Sequence, residues 1–431
     1  MIYYSLGDPS HKVSFKEALF NGITPDRSLY FPTNISPLKG SFIQNLDNLS
    51  NEEIAYECVS QFVSSDITKD SVERIIKETI NFDFPVKRID DDISVLELFH
   101  GPTMAFKDVG ARFTSRCLSY FISKEYHKKV TVLVATSGDT GAAVASGFYE
   151  VDGVDVFILY PSGKIYEVQE KQISTYSKNI FAVEVDGTFD DCQKMVKDAL
   201  VDDELTSKMN FTSANSINIS RWIPQILYYF FAYKQVKNEY EKIAFSVPSG
   251  NYGNIFSCMV SERLGLPINK FVSANNLNNP VERFLNSGKY SPKPSLHTIS
   301  SAMDVGNPSN FIRVREFFNS EYEKIKERLY SISFSDDDIR EGIRDLYNKF
   351  NYMCDPHGAV GYLGAREYTK SNRGQHCVFL ETAHPAKFLE EMKKILSIEV
   401  KIPHQIQSVL NKNKKSTKIK NYSELKEYII H

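Results

Sequence analysis

From about residue 110 the chain alternates between two hydrophobic periods. Val130-Thr131-Val132-Leu133-Val134-Ala135 is a near-continuous apolar run, the pattern of a strand buried on both faces. Val154–Leu159 and Ile180–Val185 repeat that pattern. Between and around them, helical spacing predicts helices over Gly110–Ser123, Gly141–Tyr149, Tyr166–Ser177 and Thr188–Leu200, the last with Thr188 as N-cap. Strands separated by helices in this way mean βαβ units and a parallel sheet. A helical pattern over Ile219–Glu241, interrupted by Pro224, precedes a second series: strand Ile243–Val247, helix Asn254–Leu264, strand Lys270–Ala274. Asn275–Asn310 reads as a loop-rich segment, Phe311–Phe350 as mostly helical, and Cys377–Leu380 as a last short strand.

Ahead of the first series, Ser14-Phe15-Lys16-Glu17 predicts a capping box on a short helix that Gly22 ends. Ile23–Gly40 reads as irregular, and helical patterns follow around Glu52–Phe62 and Ser71–Ile80. The pattern divides the chain into an N-terminal segment (1–95) packing on the core, a first α/β domain (96–240) and a second (241–431). The basic run Asn411–Lys418 reads as solvated, mobile surface.

Composition narrows the class. The 431 residues are 42% hydrophobic and 24% charged, ordinary for a soluble globular protein, and a net charge of −3 gives no reason to expect nucleic acid or anionic membrane as a partner. The six cysteines form no C-x-x-C pair, which argues against a metal site or a disulfide framework. No signal-peptide pattern is visible, and no uninterrupted apolar stretch approaches the roughly 18 residues of a membrane helix. A cytoplasmic protein is expected.

In open parallel sheets ligands bind outside the carboxyl ends of the strands, so the residues just after each strand carry the chemistry. Pro248-Ser249-Gly250-Asn251-Tyr252-Gly253-Asn254 follows one strand and opens a helix, combining close backbone approach with a helix N-terminus suited to a phosphate. Thr136-Ser137-Gly138-Asp139-Thr140-Gly141 follows another, offering hydroxyls and a second helix N-terminus suited to a carboxylate; simple helix capping is the competing role. Glu381-Thr382-Ala383-His384-Pro385 could bring a hydroxyl or an imidazole to the same crevice. His100-Gly101-Pro102-Thr103-Met104-Ala105-Phe106-Lys107-Asp108 sets one lysine among small and apolar residues after the run Ile93, Val95, Leu96, Leu98, Phe99. Desolvation favours the neutral amine, the nucleophile that forms Schiff bases with carbonyl compounds; a helix-start lysine with its head in solvent is the alternative. A candidate Schiff-base lysine, a phosphate cradle and a carboxylate cradle together point to pyridoxal phosphate and an amino-acid substrate. No dinucleotide fingerprint or Walker loop competes.

These residues resemble threonine synthase, a pyridoxal-phosphate enzyme of the tryptophan-synthase-β structural class, in the shorter form found in enterobacteria and fungi. The resemblance runs from about Ser14 to Lys387. Besides the three loops and the lysine segment, it rests on Ser213–Arg221, Ala302–Asn310 and Thr382-Ala383-His384-Pro385-Ala386-Lys387. It implies a fold-type II α/β protein: two open, twisted, mostly parallel αβα domains with an N-terminal extension and the active site in the crevice between them. Lys107 would carry the cofactor. Gly250, Asn251, Tyr252, Gly253 and Asn254 would hold its phosphate, and Thr382 its pyridine nitrogen. Ser137, Gly138, Asp139 and Thr140 would face the substrate carboxylate and the cofactor ring oxygen, the ring oxygen falling to Asp139. The implied substrate is O-phospho-L-homoserine and the products L-threonine and phosphate, with Asn215, Ser216, Asn218 and Arg221 as candidates for the substrate phosphate; an ion pair on a helix surface is the competing role for Arg221. No metal is implied, and the assembly would be a monomer or homodimer.

Three positions depart from the family pattern: Tyr252 and Asn254 stand where phenylalanine and aspartate are common, and Gly358 where threonine or alanine is expected. Three other activities compete. Threonine dehydratase and an amino-phospholyase share the structural class, and a catalytically silent binding protein would be free to lose the lysine that this chain keeps.

Overall fold

Strands are numbered along the chain: β1 (Ile2–Ser5), β2 (Lys12–Ser14), β3 (Tyr30–Pro32), β4 (Val86–Arg88), β5 (Ile93–Glu97), β6 (Val130–Ala135), β7 (Val154–Pro161), β8 (Ile180–Val185), β9 (Asn210–Ser213), β10 (Ile243–Pro248), β11 (Ile268–Asn275), β12 (Leu329–Ser333), β13 (His376–Glu381) and β14 (Thr417–Ile419). The computed structural model describes residues 1–124 and 129–431. The fully apolar runs become sheet interiors. All of β6 is buried, and it lies between β7 and β9 in a parallel sheet of order β14-β8-β7-β6-β9. The second sheet has order β12-β11-β10-β13-β5-β4 and is parallel except for β4, which runs antiparallel on β5. The two parallel αβ series are therefore present as read.

The strand ladders do not follow a contiguous division of the chain. β5 pairs with β13, so residues 93–97 belong to the sheet built mainly from the C-terminal half. β14, near the C-terminus, pairs in parallel with β8 of the other sheet. A domain boundary at 95/96 and a second domain running unbroken to 431 are therefore corrected: the chain crosses between the sheets near both ends.

Four local readings change as well. The basic run is exposed, as read, but anchored where Lys414 Nζ lies 2.5 Å from Glu170 and from Glu184. β12 interrupts the charged helices of 311–350, a five-residue edge strand too short to alter their composition. The segment 275–310 contains the helix Pro280–Ser287. The N-terminal region carries a three-stranded antiparallel sheet, order β2-β1-β3, beside its predicted helix, which has the Ser14–Glu17 capping box and ends at Gly22. Pro224 breaks its helix into Ile219–Trp222, a 3-10 turn and Ile226–Val236, as a missing N–H demands.

The carboxyl ends of β5, β10 and β13 meet that of β6. Phe106 N donates to Thr382 O at 2.9 Å, His384 N to Met104 O at 3.0 Å, and Ala105 bridges Ala383. These bonds seat the lysine-bearing turn on the loop after β13.

Candidate active site

Lys107 is the first residue of the helix Lys107–Lys124. The turn before it is shaped by Asp108, whose carboxylate accepts from Thr103 Oγ1 at 2.6 Å and from Thr103 N at 2.9 Å. Lys107 Nζ has no hydrogen-bond or ion-pair partner among the described residues; its nearest aromatic face is Phe106, 5.6 Å away. Its side chain is partly open while protein encloses the rest. Burial lowers its pKa to about 8, Asp139 opposes, and Arg221 and Lys387 push it down further. Near pH 7.4 roughly a fifth of it is therefore neutral amine, far more than for a lysine in water.

The loop after β10 is the candidate anion cradle. Tyr252 takes a left-handed backbone (φ 61°, ψ 9°), a conformation that costs about 1 kcal/mol for a non-glycine residue. Its buried hydroxyl anchors it, 2.9 Å from Asn275 Oδ1 and 2.7 Å from Ser273 Oγ. The turn precedes the helix Gly253–Arg263, whose N-terminal N–H groups are free of intrahelical partners. Gly250 has no room for a side chain, since a Cβ there would lie 2.7 Å from Met303 Cα. Asn251 clamps neighbouring segments, donating from Nδ2 to Ser216 Oγ at 2.6 Å and accepting from Ser309 N at 2.5 Å. Asn254 accepts from Tyr229 Oη at 2.7 Å, and its Nδ2 is buried with no acceptor.

The loop after β6 turns at Gly138 (φ 139°), where Gln169 fills the space a side chain would need. Thr136 Oγ1 accepts from Gly138 N and Gly141 N, both at 2.9 Å, so it is structural. Ser137 and Thr140 are half-buried, and their hydroxyls have no partner among the described residues. Asp139 is 4% exposed and pairs with the fully buried Lys387, Nζ to Oδ1 2.7 Å; Gln169 Nε2 donates to the same oxygen at 2.8 Å. Burial alone would raise the Asp139 carboxyl, but Lys387 and Lys107 outweigh it and hold it well below the usual range. Lys387 also donates to Thr103 O at 2.9 Å, so one ammonium joins the lysine turn to this loop. Thr382 is almost fully buried, and its hydroxyl has no partner among the described residues.

The candidates for the substrate phosphate separate. Asn215 is engaged with β6, donating to Ala135 O at 2.8 Å and accepting from Ala135 N at 3.3 Å. Asn218 is fully buried, donates to Leu19 O and Ser213 O, and caps the helix Ile219–Trp222. The Asn218 amide has its donors and acceptor filled, whereas Asn215, half-buried, keeps one Nδ2 hydrogen without an acceptor among the described residues. Ser216 Oγ instead faces Asn251 of the anion cradle. Arg221 is buried, donates to Ala214 O, has no carboxylate partner among the described residues and leaves Nε without an acceptor. The surface-ion-pair alternative for it therefore falls. Burial lowers its pKa to about 10.

Lys387 and Gln169 escaped the sequence reading; continuation of the Thr382 motif to Lys387 was the one signal available. His384, weighed as a crevice imidazole, is structural: its Nδ1 accepts from Ala386 N at 3.0 Å, its ring packs edge-on to Phe99, and burial lowers its pKa to about 4.

Pyridoxal phosphate fits this set. There is an unpartnered amine for its aldehyde, a run of N–H groups with a buried orphan amide donor for its phosphate, and an unengaged hydroxyl at Thr382. Among the described residues no cluster of histidine, cysteine or acidic side chains could hold a metal ion.

Comparison with known proteins agrees. Residues 84–382 match the family model "Pyridoxal-phosphate dependent enzyme", residues 2–80 "Threonine synthase N terminus" and residues 358–429 "Threonine synthase, C-terminal". The threonine synthase of Buchnera aphidicola from Acyrthosiphon pisum is 39% identical over 436 residues, covering 100% of both chains. The crystal structure of the Escherichia coli threonine synthase superposes with a TM-score of 0.94 at 38% identity, covering 100% of this chain and 99% of that one. A pyridoxal-phosphate-bound threonine synthase from Brucella melitensis superposes with a TM-score of 0.93 at 31% identity, covering 100% and 98%.

Proposed function

The chain belongs to the threonine synthase family, and from that premise we propose how the residues at its crevice divide the conversion of O-phospho-L-homoserine and water into L-threonine and phosphate. When bound, pyridoxal phosphate supplies the electron sink that allows C–H bonds of the amino acid to ionise. Lys107 holds the cofactor and, once substrate displaces it, serves as the base. It takes the proton from Cα and manages those at Cβ and Cγ as phosphate leaves Cγ and water adds at Cβ. Its pKa of about 8 lets it both accept and return protons near neutrality.

Gly250, Asn251, Tyr252, Gly253 and Asn254 hold the cofactor phosphate, chiefly by backbone N–H groups, with Asn254 Nδ2 as a further donor. The Tyr252 and Asn251 side chains fix the turn. Thr382 Oγ1 meets the pyridine nitrogen, and a hydroxyl stabilises a pyridinium far less than a carboxylate does. Ser137, Gly138 and Thr140 bind the substrate carboxylate, while Asp139, oriented by Lys387 and Gln169, faces the ring oxygen. Arg221 receives the substrate phosphate with Ser216 beside it; a buried guanidinium without a carboxylate is a natural anion site. Asn218 shapes that pocket from behind, and Asn215 keeps one Nδ2 hydrogen for it.

The observation that carries this reading is the convergence of an unpartnered Lys107 with the Thr382 loop and the Asp139–Lys387 pair. We place the protein in the cytosol, as a monomer or homodimer, since all six cysteines are free and buried, which suits a reducing compartment. Assay of the purified protein with O-phospho-L-homoserine should release threonine and phosphate in equal amounts. Arg221→Met should keep the visible absorbance of bound cofactor while kcat/KM falls roughly 10- to 100-fold, the worth of a charge-assisted hydrogen bond. An unchanged kcat/KM would move the phosphate pocket elsewhere, and 2-oxobutanoate as sole product would overturn the reaction.

A further inference from the structure

Two buried carboxyls end neighbouring strands, Glu97 on β5 and Glu381 on β13, paired in register. Glu97 is balanced: Lys87 Nζ and His100 Nε2 each lie 2.8 Å from it, and Tyr352 Oη donates to it at 3.1 Å. Glu381 has no cation partner among the described residues. It faces Asp355, the N-cap of the helix Pro356–Ser371, with Glu97, Tyr352 and Cys354 as its other titratable neighbours. An uncompensated buried carboxylate beside a second one is costly and takes up a proton instead.

The occupied and unoccupied acceptors narrow where that proton can sit. Glu381 Oε1 accepts from Asp355 N at 2.7 Å, while Glu381 Oε2 is buried without a partner. Asp355 Oδ1 accepts from His357 N at 2.7 Å and lies 2.5 Å from His357 Nδ1, while Asp355 Oδ2 is likewise buried without a partner. The two residues are already joined through Asp355 N, and a single hydrogen between their carboxyls would satisfy both orphan acceptors. His357 Nε2 accepts from Ala302 N at 3.2 Å, so in the neutral ring the hydrogen is on Nδ1, pointing at Asp355. Ala302 and Met303 in turn form the backbone wall against Gly250. Gly358 makes room for the arrangement, since a Cβ there would lie 1.5 Å from Glu381 Oε2.

We propose that Glu381 is a positioning residue held protonated, its carboxyl hydrogen donated to Asp355 Oδ2, and that the chain Glu381–Asp355–His357–Ala302 ties the strand end carrying Thr382 to the wall behind the Gly250 loop. Burial first, and Asp355 second, raise the Glu381 carboxyl well above its ordinary value. The proton rests on the two buried unpartnered oxygens and the absence of a cation beside Glu381 among the described residues; the importance of the tie for cofactor binding rests on the reading of Thr382 and Gly250 given above.

The test compares the full-length protein as purified with Glu381→Gln and Glu381→Leu. Folded protein keeps the proton that the unfolded chain releases above the ordinary carboxyl range. Wild-type stability is therefore full below that range and weakens by about tenfold in the folding equilibrium for each pH unit from there up to the raised folded value. Glutamine supplies the same donor and acceptor with no proton to lose. The melting temperature of Glu381→Gln should thus match the wild type most closely at pH 5 and exceed it increasingly towards pH 9, by about 2 °C or more. Glu381→Leu should melt below Glu381→Gln throughout and release pyridoxal phosphate on dialysis at least about tenfold faster. A wild-type-to-glutamine gap that does not change with pH, or a glutamine variant that fails to fold, overturns the proton. A leucine variant that retains cofactor as the wild type does overturns the tie. A wild-type protein that takes up no pyridoxal phosphate sinks the functional reading and leaves the melting result standing.

Discussion

Replacing Lys387 by methionine removes one partner of an ion pair that is 0% and 4% exposed and keeps nearly the same volume. The ammonium lies 2.7 Å from Asp139 Oδ1 and 2.9 Å from Thr103 O. Without it Asp139 keeps one neutral side-chain donor among the described residues, Gln169 Nε2 at 2.8 Å, and loses the largest influence opposing its burial. Breaking a buried pair from one side costs about 3–5 kcal/mol, because the surviving charge stays uncompensated. Asp139→Asn in the same background replaces that charge with a neutral amide, so the double variant should recover about 2 kcal/mol or more of the single variant's deficit. The pH dependence has a definite sign. In the wild type Asp139 is held below its ordinary range, so its contribution is full above about pH 4 and is lost as pH falls. In Lys387→Met burial prevails and raises it, so the deficit should be smallest in acid and grow as pH rises through the carboxyl range. Urea unfolding of the four proteins at pH 4 and pH 8 supplies the numbers. Effects that add to within about 0.5 kcal/mol at both pH values would refute the coupling.

Two further outcomes follow from the crevice. Cofactor-stripped protein should capture pyridoxal phosphate at a rate that rises with pH and levels off above about 8, where Lys107 becomes the neutral amine; stopped-flow absorbance measures it, Lys107→Ala should show no capture, and a flat profile would remove the lysine's lowered pKa from the account. Gly250→Ala sets a Cβ 2.7 Å from Met303 Cα, backbone that cannot turn aside. Cofactor affinity should fall at least about tenfold with the circular-dichroism spectrum unchanged, and an unaltered affinity would show that the wall behind the loop is not needed.

Periodicity was sufficient where one face or both faces of an element are buried by its own neighbours. β6 and β8 begin and end where their apolar runs do, and Thr188 caps its helix with the reciprocal bonds its sequence announces. It was insufficient where an element is defined by its partner. β14 is three residues whose hydrogen bonds come from β8, and the anchoring of Lys414 is invisible in sequence because Glu170 lies 244 positions away. β12 is likewise an edge strand written in five residues between charged helices. The same limit governs the site. Lys107 and the candidate phosphate loop are each continuous in sequence and could be proposed from it; Lys387 and Gln169 bond Asp139 from other elements and could not.

The departures from the family pattern gain meaning once their neighbours are known. The Tyr252 hydroxyl, which a phenylalanine would lack, bonds Asn275 and Ser273 and so holds a left-handed turn against its own strain. An aspartate at 254 would offer only acceptors. Asn254 accepts the Tyr229 hydroxyl with one atom and keeps a donor free with the other, the polarity a phosphate requires. Gly358, silent in the sequence, leaves the volume that Glu381 occupies, and a threonine or alanine there would evict that carboxyl. Gly358 and Glu381 are therefore one substitution in physical terms: either changed alone leaves a clash or a void, and only together do they close the chain from Thr382 to the Gly250 wall.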